Sequence, residues 1–172
     1  MRKVILIAGT INHHADTEEI RYVHLDGAER DIYDAELDLF VRVDVVADLH
    51  GSLPMFRDAM FDSVVCDHVW EHLDGLQILH AINAIYRVMK VGAELVVETP
   101  NMSGIARAWV EKQYPEAELQ QWIHGENVGG PFDSHRYSYS PESLRALIEE
   151  GGFKIVQEID KGLAIRFYAE KR

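Results

Sequence analysis

The chain has 172 residues, of which 47% are hydrophobic and 27% charged, as in an ordinary globular domain. Its 17 lysines and arginines against 29 aspartates and glutamates give a formal net charge of −12, whereas proteins that bind nucleic acids usually present a basic face to the phosphates. Composition and charge therefore argue against a nucleic acid partner and favour a small molecule, a glycan or another protein. Because no apolar run approaches the ~18 residues of a membrane span and Cys66 has no partner for a disulfide, we predict a single cytoplasmic domain over residues 1–172 with no membrane partner.

Short apolar runs rich in β-branched residues recur along the chain and predict strands. Continuous runs, rather than a strict alternation of apolar and polar residues, are typical of a parallel sheet covered on both faces. Cys66 lies inside one run and is interpreted as a small buried hydrophobic residue rather than a nucleophile. The predicted strands are Val4–Ala8, Tyr22–Leu25, Val43–Ala47, Phe61–Cys66, Glu94–Glu98, Phe153–Ile159 and Leu163–Ala169.

Between these runs, two segments have the spacing of amphipathic helices. Apolar residues recur every three or four positions over Gly75–Lys90, a helix that Asp74 can cap. A second helix follows the N-cap Ser140, has Pro141 at its first position and ends at Gly151. Weaker patterns predict helices over Met102–Lys112 and Pro115–Trp122, and a polar loop over Gly125–Ser138.

The alternation of strands and helices predicts the topology of the sheet. Strands that alternate with helices form right-handed crossovers and a parallel sheet. The last two predicted strands are separated by only a few residues, Asp160-Lys161-Gly162, which predicts a hairpin and an antiparallel strand at that edge. The predicted fold class is therefore α/β, a doubly wound and mostly parallel sheet with an antiparallel edge strand.

Three consecutive predicted strands end with an acidic residue, namely Asp26, Asp48 and Asp67. Ligands of open α/β sheets bind beyond the carboxyl ends of the strands, and a carboxylate at the end of the second strand can accept hydrogen bonds from both ribose hydroxyls. Aspartates also end strands because they cap the next helix or turn, and each one alone favours that interpretation. The three together favour a ligand site.

Several segments occur in an order that is typical of one family, although each segment alone is weak evidence for it. They are Asp44 to Leu49 with Leu53-Pro54, then Phe61 to Leu73 with its ending His68-Val69-Trp70-Glu71-His72-Leu73, then Ile85 to Leu95, and finally Ser140 to Leu144 with Glu149 to Phe153. From about Tyr22 to the last residue, the chain thus resembles the class I, Rossmann-like S-adenosylmethionine-dependent methyltransferases. It is most similar to a subgroup of small methyltransferases that are known from sequence. The resemblance implies a Rossmann-like fold, S-adenosylmethionine as cofactor, and transfer of a methyl group to a small molecule or glycan.

The resemblance also implies roles for individual residues. Asp26 would bind the ribose, while Asp48 and Leu49 would contact the adenine. Asp67 and His68 would lie near the methionine part of the cofactor. The residues beneath its amino-acid end would be Gly9 and Thr10.

The first loop departs from the family pattern. Where the family has Gly-x-Gly-x-Gly, this chain has Gly9 followed by Thr10-Ile11-Asn12, and little room is left before Asp26 for the usual first helix. Either Gly9 suffices, with Asn12 in a left-handed conformation, or the pocket has degenerated. The second case predicts a catalytically silent domain that acts as a binding or interaction module. A nicotinamide-dependent oxidoreductase is a third hypothesis, against which the missing Gly-x-Gly-x-x-Gly counts.

Methyl transfer is an in-line displacement, so a general base is needed only when the acceptor must lose a proton as it attacks. The candidate catalytic residues are Asp67 and His68 after the fourth strand, and His135 in the loop before the last helix. That loop resembles an Asp-x-His element of the same small methyltransferases. A histidine there would face the acceptor and titrate near neutral pH. The alternative is that His135 folds the loop by hydrogen bonding.

Other histidines and two tryptophans are given structural interpretations. His72 is interpreted as a residue that satisfies local backbone groups, and Trp109 and Trp122 as packing residues rather than walls of an acceptor pocket. The adjacent histidines His13 and His14 would diverge on a regular element, so they are a weak metal signal. The sequence therefore assigns no metal.

Overall fold

The computed structural model describes residues 3–8, 17–26, 31–34, 39–42, 45–49, 51–125 and 134–172. Its strands are β1 (Lys3–Ala8), β2 (Ile20–Asp26), β3 (Asp31–Asp34), β4 (Leu39–Arg42), β5 (Val45–Val46), β6 (Phe61–Asp67), β7 (Met89–Pro100), β8 (Phe153–Asp160) and β9 (Ala164–Lys171). Its α-helices are α1 (Gly75–Val88), α2 (Met102–Val110), α3 (Glu116–His124) and α4 (Pro141–Glu150), and one turn of 3-10 helix spans Trp70–His72. No helix in these ranges is long and apolar enough to cross a membrane.

Among the described residues, seven strands form one sheet in the order β5-β2-β1-β6-β7-β9-β8. The five strands from β5 to β7 pair in parallel with their neighbours. Strand β9 is antiparallel to both β7 and β8, so a C-terminal hairpin completes this side of the sheet. The predicted fold class, a mostly parallel α/β sheet with an antiparallel edge, is confirmed.

The strand order reverses at β1. The chain moves outward from β1 through β2 to β5, and then crosses back to β6 on the other side of β1. In an open α/β sheet, a ligand binds beyond the carboxyl ends of the strands at such a reversal. The carboxyl ends of β1, β2, β5, β6 and β7 therefore mark the edge at which to look for a site, which we call the carboxyl edge.

Two helices pack on the sheet to form the main core. Their buried faces include Ile82 and Ile85 of α1 and Leu144 and Ile148 of α4, which join the apolar side chains of the strands. A smaller core joins α2 and α3 near the β8–β9 turn, through Ile105, Ala108, Leu119 and Leu163. Both helices of the main core have the predicted N-caps: Asp74 and Ser140 each accept backbone hydrogen bonds at the first turn.

The structure corrects three of the predicted elements. The helix predicted to reach Lys90 ends at Val88, because Met89 is fully buried and pairs with Phe61 of β6. Of the strand predicted over Val43–Ala47, β5 covers Val45–Val46 and ends before Ala47, while residues 43 and 44 lie outside the described residues. The antiparallel pair β3–β4, which forms a separate two-stranded sheet, was not predicted at all.

Candidate active site

The register of the sheet brings two of the predicted acids to one level at the carboxyl edge. Ala8 of β1 pairs with Leu25 on one side and with Cys66 on the other. The residues that follow these partners are Asp26 and Asp67. They therefore end their strands side by side, on either side of the end of β1.

The third predicted acid lies one strand farther out. Asp26 of β2 pairs with Val46 of β5, and Asp48 follows two residues later with an exposed side chain. Leu49 is buried and packs in the main core, which leaves its backbone to meet a ligand. The remaining predicted cofactor residues, Gly9 and Thr10, lie outside the described residues.

Around Asp67, the carboxyl edge holds a compact cluster of charged side chains. Nε2 of His68 lies 4.0 Å from Oδ1 of Asp67 and 3.8 Å from Oε1 of Glu98. Nζ of Lys161 donates a hydrogen bond of 2.6 Å to Oε2 of Glu98, and Nε of Arg166 donates to the same oxygen. Nη2 of Arg166 also lies 3.5 Å from Oδ2 of Asp67. The ends of β6 and β7 thus meet two cations from the β8–β9 hairpin.

The two carboxylates of this cluster differ in their electrostatics. Burial raises the pKa of Asp67, and the neighbouring Glu98 carboxylate raises it further, against the charges of His68 and Arg166. Burial alone would also raise the pKa of Glu98, but the hydrogen bond from Lys161 and the charge of Arg166 lower it overall. Glu98 is therefore the fixed anion of the cluster, and Asp67 takes up a proton more readily than an ordinary aspartate.

His68 is held by both its backbone and its ring. Its φ of 53° lies in the left-handed region, which few residues other than glycine adopt and which is often found at functional sites. Its backbone N–H donates to the Glu98 carbonyl over 2.9 Å, and its Nδ1–H donates to Oε1 of Glu71 over 3.0 Å. Burial would lower the pKa of this ring, but the hydrogen bond and charge of Glu71 raise it above the ordinary value. His68 therefore holds its proton more tightly than an ordinary histidine does.

The 3-10 turn after β6 places Glu71 beside His68. Trp70 is fully buried in the main core, and its carbonyl accepts a hydrogen bond of 3.4 Å from the hydroxyl of Tyr139. Glu71, the next residue, has only 1% of its surface exposed. The packing of Trp70 therefore fixes the position of a buried carboxylate at the carboxyl edge.

The segment before α4 docks onto this turn and brings His135 with it. The backbone N–H of Arg136 donates to the Glu71 carbonyl over 2.7 Å, and the rings of His135 and His72 lie 5.0 Å apart. Nδ1 of His135 donates to the carbonyl of Trp122 over 3.1 Å. Burial lowers the pKa of His135, so its ring is neutral at pH 7. The structure thus joins the predicted residues after β6 to the predicted loop histidine.

The two tryptophans differ in their surroundings. Trp122 packs against the small α2–α3 core, and its ring lies 5.7 Å from that of His68. The packing interpretation is confirmed for Trp122. It is wrong for Trp109, which is 36% exposed on α2.

Cys66 lies one residue before Asp67 but takes no part in the cluster as a nucleophile. Its side chain is fully buried, and burial raises the pKa of the thiol to about 12. A thiol is nucleophilic only as the thiolate, which is scarce at this pKa. The interpretation of Cys66 as a small buried hydrophobic residue is confirmed.

A family model of methyltransferase domains matches residues 9–158, most of the chain. The chain belongs to this methyltransferase family. No match was found among the curated proteins.

Solved structures of methyltransferases share the fold of this methyltransferase domain. An S-adenosylmethionine-dependent methyltransferase from Archaeoglobus fulgidus is 16% identical with a TM-score of 0.60, and the alignment covers 99% of this chain and 86% of that one. A Haloferax volcanii methyltransferase in complex with the Trm112 activator is 16% identical with a TM-score of 0.65, covering 98% and 82%. The 1,6-didemethyltoxoflavin-N1-methyltransferase of Burkholderia thailandensis, solved with S-adenosylhomocysteine bound, is 14% identical with a TM-score of 0.62, covering 99% and 72%.

The family confirms that the chain is a methyltransferase, and the methyltransferases that share its fold include ones that depend on S-adenosylmethionine. The family and the fold support methyl transfer in general. The nature of the acceptor and the roles of individual residues stay predictions.

Sequence reasoning missed three charged residues of the methyltransferase's carboxyl edge: Glu98, Lys161 and Arg166. Two of them interrupt the apolar runs that were predicted as strands, Glu98 at the end of one and Arg166 within another. Charged residues are rarely buried without a partner, so an acid and a base inside two buried strands are a signal of an ion pair. Lys161 lies in the predicted hairpin turn and gives no such signal.

Proposed function

We propose that this methyltransferase transfers a methyl group from S-adenosylmethionine to a small-molecule or glycan acceptor at the carboxyl edge of its sheet. The observation that supports this best is the row of strand-end acids, Asp26, Asp48 and Asp67. When bound, the cofactor supplies a methyl group on a positively charged sulfur. The predicted cytoplasmic location stays a prediction.

The chemistry of the strand-end residues fits the cofactor. Asp26 ends β2, where a carboxylate can accept hydrogen bonds from the ribose hydroxyls, and Asp48 with Leu49 follows β5, where the adenine would be held. Asp67 and His68 would lie along the methionine part, where carboxylates favour the positive charges of the ammonium and sulfonium groups. The residues proposed for the amino-acid end are Gly9 and Thr10.

Of the three predicted catalytic residues, His135 is the best candidate for a general base. A base must have a free lone pair near the operating pH. The His135 ring is neutral, and because its Nδ1–H is donated to the Trp122 carbonyl, Nε2 has the lone pair. The hydrogen bond to Glu71 raises the pKa of His68, so this ring gives up its proton less readily, and Asp67 is engaged with Arg166. We therefore propose that His68 and Asp67 position the donor, and that His135 faces the acceptor.

His135→Ala is expected to lower kcat by at least about 100-fold, the usual loss when a positioned general base is removed. The dissociation constant of S-adenosylhomocysteine should stay within about threefold of the wild-type value, because His135 faces the acceptor and not the cofactor. The measurement is transfer of a labelled methyl group from S-adenosylmethionine to a panel of small hydroxyl, amine and sugar acceptors, with calorimetry for the cofactor. The matched control is His80→Ala, an exposed residue of α1, which should act like the wild type. Equal rates for the His135 and His80 variants would refute the assignment.

A further inference from the structure

Three side chains of the candidate site converge in a pattern that the mechanism above does not need. Glu71, His72 and His135 each place one potential ligand atom within 4.8 Å of the others. Two of them come from the 3-10 turn after β6, and the third comes from the segment before α4. Two imidazoles and one carboxylate make up a ligand set that binds divalent transition-metal ions and leaves coordination positions open.

Both histidine rings make the second hydrogen bond that is typical of metal ligands. Nδ1 of His72 donates to the carbonyl of Ser134 over 3.2 Å, and Nδ1 of His135 donates to the carbonyl of Trp122 over 3.1 Å. A carbonyl can only accept, so each Nδ1 has the proton and each Nε2 has the lone pair. Metal-binding histidines almost always donate their second ring N–H in this way, because the hydrogen bond fixes the tautomer and the direction of the ring.

The carboxylate of Glu71 adds a separate observation. Glu71 is 1% exposed, and its Oε1 accepts from His68. Its other oxygen, Oε2, is buried and has no hydrogen-bond partner among the described residues. A buried carboxylate oxygen without a partner is costly, and a bound cation removes that cost.

A neighbouring trio shows what distinguishes this set. Asp67, His68 and Glu98 also have ligand atoms within 4.8 Å of one another. Their carboxylates, however, already face Lys161 and Arg166, which supply the positive charge. In the described part of the chain, Glu71 forms an ion pair only with His68. The trio of Glu71, His72 and His135 is therefore the one whose carboxylate pairs with no lysine or arginine in the described part of the chain.

We propose that Glu71, His72 and His135 bind one divalent first-row transition-metal ion, such as Mn²⁺ or Zn²⁺, and that this ion binds the hydroxyl oxygen of the methyl acceptor. The inference rests on the proposed function and narrows its acceptor to a hydroxyl compound. Nε2 of His135, assigned above as the general base, is then a ligand of the metal. The ion, rather than a base, lowers the pKa of the hydroxyl. The hydroxyl proton passes to solvent water. The oxygen electron pair forms the new carbon–oxygen bond while the carbon–sulfur bond of the donor breaks, with its electron pair going to sulfur, and nothing is oxidised or reduced.

The test is a titration of chelator-treated, dialysed protein with Mn²⁺ and with Zn²⁺, followed by calorimetry and, for Mn²⁺, by electron paramagnetic resonance. We expect one ion per chain, and dissociation constants at least about 100-fold weaker for His72→Ala and His135→Ala. The control His80→Ala should bind the ion as the wild type does. No binding at millimolar metal, or equal weakening in the His80 variant, would overturn the site.

Two further measurements distinguish a failure of the metal site from a failure of the proposed function. Glu71→Gln should also weaken metal binding. If that variant does not fold, the thermal midpoint replaces it: metal should raise Tm of the wild type by several degrees and leave Tm of His135→Ala unchanged. Chelator-treated protein is also titrated with S-adenosylhomocysteine. Cofactor binding without metal binding would overturn this inference and leave the proposed function intact. Metal binding without cofactor binding would overturn the proposed function, and with it the ion's role toward the acceptor, but not the metal site itself. If metal binds but only amine acceptors are methylated, the hydroxyl assignment is wrong.

Discussion

Trp70→Ala is expected to lower the free energy of unfolding by about 3–5 kcal/mol, the cost of removing a large aromatic side chain from a packed core. Trp70 has no exposed surface and is the largest of the fully buried side chains. It starts the 3-10 turn that continues into Glu71 and His72, so the cavity would lie next to the candidate active site. Urea unfolding followed by circular dichroism measures the loss of stability.

The matched control is Trp109→Ala. This tryptophan is 36% exposed on α2, so its removal opens no buried cavity and should cost less than about 1 kcal/mol. Replacement of tryptophan by alanine is thus expected to cost much more stability at the buried Trp70 than at the exposed Trp109. Similar urea midpoints for the two variants would show that Trp70 does not fill the core as described.

Gly104→Ala is expected to destabilise the protein by about 3 kcal/mol or more, beyond the usual cost of an overpacked site. A Cβ at this position would lie 1.8 Å from the carbonyl oxygen of Gly162 and 2.9 Å from its carbonyl carbon. These are backbone atoms, so they cannot rotate aside as a flexible side chain would. The start of α2 is also tied to this hairpin, because the Asn101 backbone N–H donates to the Leu163 carbonyl over 2.8 Å. Relief of the clash therefore requires α2 and the β8–β9 turn to separate.

Separation of α2 from the β8–β9 turn should also disturb the candidate site, because Lys161 on the same turn donates a hydrogen bond to Glu98. Gly75→Ala is the matched control. A Cβ at Gly75, the first residue of α1, would meet no described atom within 4 Å, and the change should stabilise by about 0.4–1 kcal/mol through the unfolded state. Thermal unfolding of both variants provides the comparison. A Gly104 variant as stable as the Gly75 variant would contradict the close contact between α2 and the hairpin.

The main sheet could be predicted because its central strands are buried and therefore appear in the sequence as uninterrupted apolar runs. Val4–Ala8 is such a run, and β1 is found there. The β3–β4 pair could not be predicted in this way, since each strand has only four residues and the first, Asp31–Asp34, begins and ends with an acid. The end of α1 was misplaced because Met89 leaves the helix to pair with Phe61, a contact between residues that are distant in the sequence.

The carboxyl edge of the sheet could be predicted from topology alone, because parallel strands bring their carboxyl ends together. That principle selects Asp26, Asp48 and Asp67 from the amino-acid sequence. It does not show that Glu71 and His72 meet His135, because that contact depends on backbone hydrogen bonds between the turn after β6 and the segment before α4. From the sequence alone, His72 was interpreted as a residue that satisfies local backbone groups, and no metal was assigned.

Calorimetric titration of the purified chain with S-adenosylhomocysteine tests the central claim most directly. We expect one binding event per chain, and we expect Asp26→Ala to weaken it by about 10-fold or more, the effect of losing hydrogen bonds to a charged acceptor. Asp58→Ala, an exposed change just before β6 begins and therefore at the opposite edge of the sheet, should bind as the wild type does. Absence of binding at millimolar S-adenosylhomocysteine would contradict the account and favour a catalytically silent interaction module.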